Sequence, residues 1–163
     1  MEEEKSAIQG LIQNLKTNPI IKEPFSNYKY FEGIKGVRSM WLEINEKMSN
    51  KDIFRIYGTK KTSYEKLIGF YNQFHEQRIK KKIKAKIIFP AEDIELAKKR
   101  KDNLTETKFA QLENDAEWGV FDDIIYIQHI IGKTPRAFLI HDKFFAETYK
   151  QVFDQIWKNA EKL

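Results

Sequence analysis

The sequence predicts an α/β domain: a mostly parallel central sheet of five to six strands flanked by helices, with an N-terminal linker helix ahead of it. Three observations lead there. Short apolar or alternating runs recur along the chain, at Ile53–Tyr57, Ile87–Phe89 and Ile124–Ile127. Between them lie longer segments whose apolar residues return at steps of three and four, the period of a helix with one buried face. Strands separated by helices need crossover connections, which favour parallel pairing. The order reads α-βα-βα-β(α)-β-ββ-α, with a late hairpin adding antiparallel strands.

Composition sets bounds. The 163 residues suit one domain with a sizeable core, and 41% hydrophobic with 13% aromatic residues is enough to build it without staples. There is no cysteine, which excludes disulfides, thiolate zinc sites and cysteine nucleophiles and accords with a reducing cytoplasm. No apolar run approaches the ~20 residues that span a bilayer. The start, MEEEKSAIQG, is acidic and lacks the apolar stretch of a secretory signal. A cytoplasmic location with no membrane contact is therefore expected. The net charge of +5 permits contact with anionic surfaces without demanding it.

Taken in order, residues 2–16 read as a helix with Ile8, Leu11, Ile12 and Leu15 on one face and three glutamates at its start. That narrow stripe either packs back on its own domain or pairs with a second chain. Pro19 and Pro24 mark an extended connector from Thr17 to Asn27. Tyr28–Glu32 alternates as a strand. Gly33 and Gly36 turn the chain, and Ile34, Val37, Trp41, Ile44 and Met48 then stripe a helix. Asp52–Tyr57 is a strand closed by Gly58-Thr59. A long helix follows over 63–82, with Ser63 as cap and Tyr64, Leu67, Ile68, Tyr71 and Phe74 as its stripe, and His75 beside it. The dense basic run from Arg78 to Lys86 reads as a solvated helix end, with phosphate contact the minor alternative.

Ile87–Phe89 forms another buried strand, ended by Pro90. Ala91–Asp102 is a charged helix and Thr107–Leu112 a strand. Asn114–Trp118 reads as a loop and Val120–Ile131 as one strand. Gly132–Pro135 turns the chain into the strand Arg136–Ile140, and a last helix runs from Asp142 to about Ala160. The middle of the sheet is expected from Ile53–Tyr57, Ile87–Phe89 and Arg136–Ile140.

Catalytic and cofactor signatures are absent. There is no glycine-rich phosphate loop and no Gly-x-Ser-x-Gly elbow. The three histidines, His75, His129 and His141, are far apart and not at ligand spacing, so neither a metal nor a cofactor is expected. Asp122 and Asp123 are adjacent, which on a strand sends their carboxylates to opposite faces.

The run YKYFEGIKGV entering a helix is similar to the opening of the effector domain of TrmB-type transcriptional regulators. The strand ending Tyr57-Gly58-Thr59, the strand Ile124–Ile127 and the terminal Phe153-x-x-x-Trp157-x-x-Ala160 follow in the expected order, so the resemblance spans Tyr28 to Ala160. It implies a phospholipase-D-like fold and a domain that senses a small molecule, a sugar or a phosphorylated metabolite, or only dimerises. Residues 1–27 would be the linker and dimerisation helix with its connector, and residues 28–163 the effector-like domain. A homodimer is implied, with Ile8, Leu11, Ile12 and Leu15 in its interface. DNA would be met only through a winged helix that this chain does not hold, and no enzyme activity is expected.

A phospholipase-D-like phosphodiesterase is the rival reading, together with a plain protein-interaction module. That enzyme family uses His-x-Lys-x-x-x-x-Asp. Here His141-Asp142-Lys143 has Thr148 where the aspartate belongs, and there is no second copy. If ligands bind outside the carboxyl ends of the strands, the site would use Glu32, Gly58, Thr59 and His141.

Overall fold

A computed structural model describes residues 1–17, 27–113 and 115–162, without the side chains of 10–17. The connector around Pro19 and Pro24 lies outside them, as do the side chains of Leu11, Ile12 and Leu15. The elements are α1 (Glu2–Thr17), β1 (Tyr28–Glu32), α2 (Gly33–Lys47), β2 (Phe54–Tyr57), α3 (Lys61–Lys66), α4 (Ile68–Lys80), β3 (Ala85–Pro90), α5 (Ile94–Arg100), β4 (Thr105–Ala110), β5 (Glu117–Phe121), β6 (Ile124–His129), β7 (Arg136–His141), α6 (Lys143–Asn159) and β8 (Glu161–Lys162).

One eight-stranded sheet runs β1-β7-β6-β5-β2-β3-β4-β8. Only β2–β3 and β3–β4 pair in parallel, and the other five pairings are antiparallel. This corrects the expected mostly parallel sheet of five to six strands. The sheet is wider because one expected strand is two and the chain after α6 adds the short edge strand β8 against β4. Asp122, at φ +47°, makes a tight turn with Asp123, so Val120–Ile131 does not run through as a strand: β5 and β6 fold as a hairpin. Aspartate is among the few residues that adopt such a backbone readily. Trp118 and Glu117 therefore open a strand instead of closing a loop. The parallel reading failed because only helical crossovers imply it, and the last half of the chain has none between β5 and β7. For the same reason β7 lies next to the edge, and the middle belongs to β5 and β2.

The core has two sides. On one, α2, α4 and α5 cover the sheet with Val37, Met40, Trp41, Ile44, Leu67, Tyr71, Phe74 and Ala97, all buried. The spacing on α2 matches the stripe read from sequence; on α4 Leu67, Tyr71 and Phe74 match it, whereas Ile68, expected in the same stripe, is 48% exposed because the helix breaks beside it at Leu67. On the other face α6 places Ala146, Phe153 and Ala160 against Val120, Ile125 and Ile88. The expected single helix over 63–82 breaks at Leu67, whose backbone (φ −121°, ψ 21°) leaves the helical region while its side chain stays buried. Arg78, expected at a solvated helix end, is wholly buried. Its guanidinium donates to the carbonyls of Ile83 (2.6 Å) and Leu104 (3.3 Å) and to the Thr105 hydroxyl, so it ties the α4–β3 turn to the start of β4.

Candidate ligand site at the strand ends

The strand register decides which of the four expected ligand residues meet. Glu32 stands opposite Arg136, His129 opposite Arg136, Gln128 opposite Glu117, and Tyr57 opposite Trp118. The carboxyl ends of β1 and β2 therefore share one edge of the sheet, here called the upper edge. β7 runs the other way, so His141 is at the lower edge, away from Glu32, Gly58 and Thr59. Glu32 is four strands from Thr59, about 19 Å at ordinary strand spacing. It is exposed, and its side chain makes no cap to α2. Gly58 and Thr59 remain together. Gly58 turns the chain at φ +87°, a conformation that suits glycine alone, and it delivers Thr59 into the interior, where it is 6% exposed.

Beside Thr59 lies a carboxylate that the sequence reading passed over. Glu117 opens β5 on the face that also carries Gly119 and Phe121, and it is 3% exposed. Its Oε1 accepts from Tyr126 Oη at 2.6 Å and from Gln128 Nε2 at 2.9 Å. Gln128 Nε2 also reaches Tyr71 Oη at 2.6 Å, and Gln128 Oε1 accepts from Trp41 Nε1 at 2.9 Å. Four elements thus converge on one acid. Burial pushes the Glu117 carboxyl up to about 7, against the opposing pull of Tyr126, Thr59 and Gln128. Its other oxygen, Oε2, is buried without a hydrogen-bond partner. The Thr59 hydroxyl is near enough to favour the charged carboxyl but outside hydrogen-bond geometry.

Glu117 lines a void of about 10 Å³ together with Thr59, Tyr64, Tyr71, His75 and Arg100. That is room for about one water molecule. Burial, reinforced by Arg78, lowers His75 to about 4, so this imidazole is neutral at pH 7. Tyr64 also lines an open groove of about 220 Å³ between α3 and α5, with Lys61, Glu65, Ile68, Glu95, Leu96 and Lys99. Its ring stacks on Tyr71 (5.0 Å between centroids) and carries the Arg100 guanidinium at 4.4 Å. Tyr64 Oη and Arg100 Nη2 both donate to Asn72 Oδ1, at 3.1 and 2.9 Å. One tyrosine therefore borders both the outer groove and the inner void, on a six-residue helix set between Gly58 and the break at Leu67.

The lower edge is a lattice of satisfied charges. Asp52 meets Lys150 at 2.8 Å and Arg55 at 3.1 Å, and Ser49 Oγ donates to Asp122 at 3.0 Å. Burial would raise Asp52, but the hydrogen bonds from Lys150, the Ile53 amide and Arg55 outweigh it and hold the carboxyl below its usual range. The His-x-Lys triplet straddles the end of β7 and the start of α6. His141 pairs with Asp123 at 2.9 Å, and Asp142 caps the helix by accepting from the amides of Phe144 and Phe145. Thr148 points its hydroxyl back to the Phe144 carbonyl. Among the described residues no three His, Asp or Glu side chains gather as metal ligands would, and no helix is long and apolar enough to cross a membrane.

Sequence reasoning missed Glu117 because nothing local marks it. The alternation Glu117-x-Gly119-x-Phe121 was the available signal, and only the hairpin register puts Gln128 opposite it.

No protein-family profile matches the chain, and no curated protein matches it significantly in sequence. Among solved structures it is similar to TrmBL2, described as an archaeal chromatin protein with a novel mode of DNA binding, at 17% identity and a TM-score of 0.59. That match covers 99% of this chain and 63% of TrmBL2, so the chain spans under two thirds of that protein. It is also similar to NucT from Helicobacter pylori (10% identity, 83% of this chain and 99% of that one, TM-score 0.59). A third match is Nuc from Salmonella typhimurium, a phospholipase D family member (9% identity, 83% and 97% covered, TM-score 0.55). At these identities the likeness is one of fold: the chain has a phospholipase-D-like α/β fold of the kind also found in a TrmB-like protein.

Proposed function

We propose that this domain is a non-catalytic, ligand-responsive effector module of a TrmB-like regulator, acting as a homodimer. In this reading DNA contact belongs to a winged helix outside these residues. The observation that carries it is the buried Glu117, whose Oε2 has no hydrogen-bond partner, lining a small void together with Tyr64, which also borders the outer groove. A partnerless acceptor in the interior is costly, and a ligand hydroxyl that donates to it would remove that cost. A neutral, hydroxyl-rich molecule such as a sugar suits the site better than a phosphorylated metabolite, because a phosphate would face the Glu117 carboxyl. The groove walls of Tyr64, Ile68 and Leu96 would take the apolar side of such a ring. The fold shared with TrmBL2 supports the regulator reading.

A thermal-shift screen of the full chain against sugars and phosphorylated metabolites tests this. Ligand at a hundredfold its dissociation constant stabilises by about 2.7 kcal/mol, a rise of roughly 5–10 °C for a domain this size. Glu117→Gln and Thr59→Val should each reduce that rise. A panel with no shift, or shifts untouched by both variants, overturns the site. The phosphodiesterase alternative predicts hydrolysis of a bis-aryl phosphodiester that is lost in His141→Ala; with His141 held by Asp123 and Thr148 turned into its own helix, we expect none.

A further inference from the structure

We infer that the sheet face beside α6 is the docking site for α1 of a second copy of the chain. This rests on the homodimer reading above and specifies its interface. On β1, Lys29 and Phe31 turn toward α2, where Lys29 pairs with Glu43 and Phe31 joins the core. Tyr28, Tyr30 and Glu32 turn the other way. So do Arg136, Phe138 and Ile140 of β7, which alternate with the buried Ala137 and Leu139. On that face α6 packs across β2, β5 and β6, and Ile140 of β7 joins its cluster, while Tyr30 of β1 and Phe138 of β7 stay exposed.

The uncovered strip is apolar. Tyr30 is 49% and Phe138 40% exposed, with ring centroids 5.1 Å apart. The flank of α6 adds Phe145 at 59% and Val152 at 45%. Two strands are about 10 Å wide, the diameter of one helix. The layer therefore has room for a single further helix.

The chain carries a helix that fits. α1 is sixteen residues, about 24 Å long, and the sequence puts Leu11, Ile12 and Leu15 on the face of Ile8. In the single chain Ile8 is 57% exposed. A helix of this length is marginal in water without burial. Charge sets its direction. The first turn holds Glu2, Glu3 and Glu4. The upper end of the strip holds Arg136 and, in the preceding turn, Lys133, both exposed, with Glu32 beside Arg136 as the one opposing carboxylate. With its acidic end there, α1 descends to the lower edge, where β1 begins. The ten residues 18–27 reach at most about 33 Å, enough for a reciprocal exchange. Such an exchange is two-fold and closed.

The test uses the full chain, which has no cysteine of its own. Light scattering should show a dimer at tens of micromolar. The pair Phe138→Lys with Phe145→Glu should give a folded monomer by circular dichroism. In Ile8→Cys with Phe138→Cys, a short bismaleimide should yield an adduct of dimer mass. An adduct of monomer mass puts α1 on its own sheet and overturns the inference; so does no adduct at all. A dimer that survives Phe138→Lys with Phe145→Glu also overturns it, but leaves the homodimer reading standing. A monomeric unaltered chain removes both.

Discussion

Glu117 and His75 line one void, and burial shifts them in opposite directions. An acid raised from 4.5 to about 7 by burial is protonated in both states below pH 4.5. As pH rises through that value the unfolded chain ionises first, so stability falls up to pH 7 and then levels. A histidine lowered from 6.5 to about 4 does the reverse: stability is lost as pH falls from 6.5 toward 4. Each effect is about 3 kcal/mol at one unit per 1.36 kcal/mol, and they overlap. The unaltered chain should therefore show nearly level unfolding free energy between pH 4.5 and 6.5. Glu117→Gln should leave only the effect of His75, so that stability climbs with pH by about 1 kcal/mol per unit. Urea unfolding at pH 4.5, 5.5 and 6.5 checks both, and a Gln variant that stays level refutes the assignment.

At the scale of elements, Gly119 is what lets β5 and β6 share the acid. A Cβ there would overlap the Tyr126 ring and stand 2.9 Å from the Arg55 carbonyl oxygen. Gly119→Ala should cost about 1–3 kcal/mol by overpacking, a fall in Tm of roughly 3–10 °C, and should displace Tyr126 from Glu117. Gly69→Ala on α4, where a Cβ meets nothing within 4 Å, should instead stabilise by about 0.5–1 kcal/mol. Calorimetry on the two variants separates them. The stripe of α2, most of that of α4 and the buried run of β3 were legible in sequence, because period and apolarity are local. The turn at Asp122, the break at Leu67 and the inward Arg78 were not. Each depends on a partner distant in the chain or on one backbone angle. Of the candidate site, Gly58 and Thr59 were legible as a strand end, whereas Glu117 becomes visible only once Gln128 is placed opposite it.

For the whole molecule, protection from hydrogen exchange should follow sheet order and cover. β2, β5 and β3 lie mid-sheet between helices and should exchange slowest, while β8, a two-residue edge strand, should exchange quickly. Equal protection at β8 and β2 would contradict that layout. The pairing of β1 with β7 has a kinetic meaning as well. The register joins Tyr28 to Ile140, nearly opposite ends of the chain, whereas β5, β6 and β7 are neighbours in sequence as well as in space. Loop closure over such a span is entropically slow. On the ribosome, β1 must wait for β7 to be made before it can be zipped in. Until then the emerging chain would hold this aromatic strand unpaired, the interval in which chaperones or a neighbouring nascent copy could capture it.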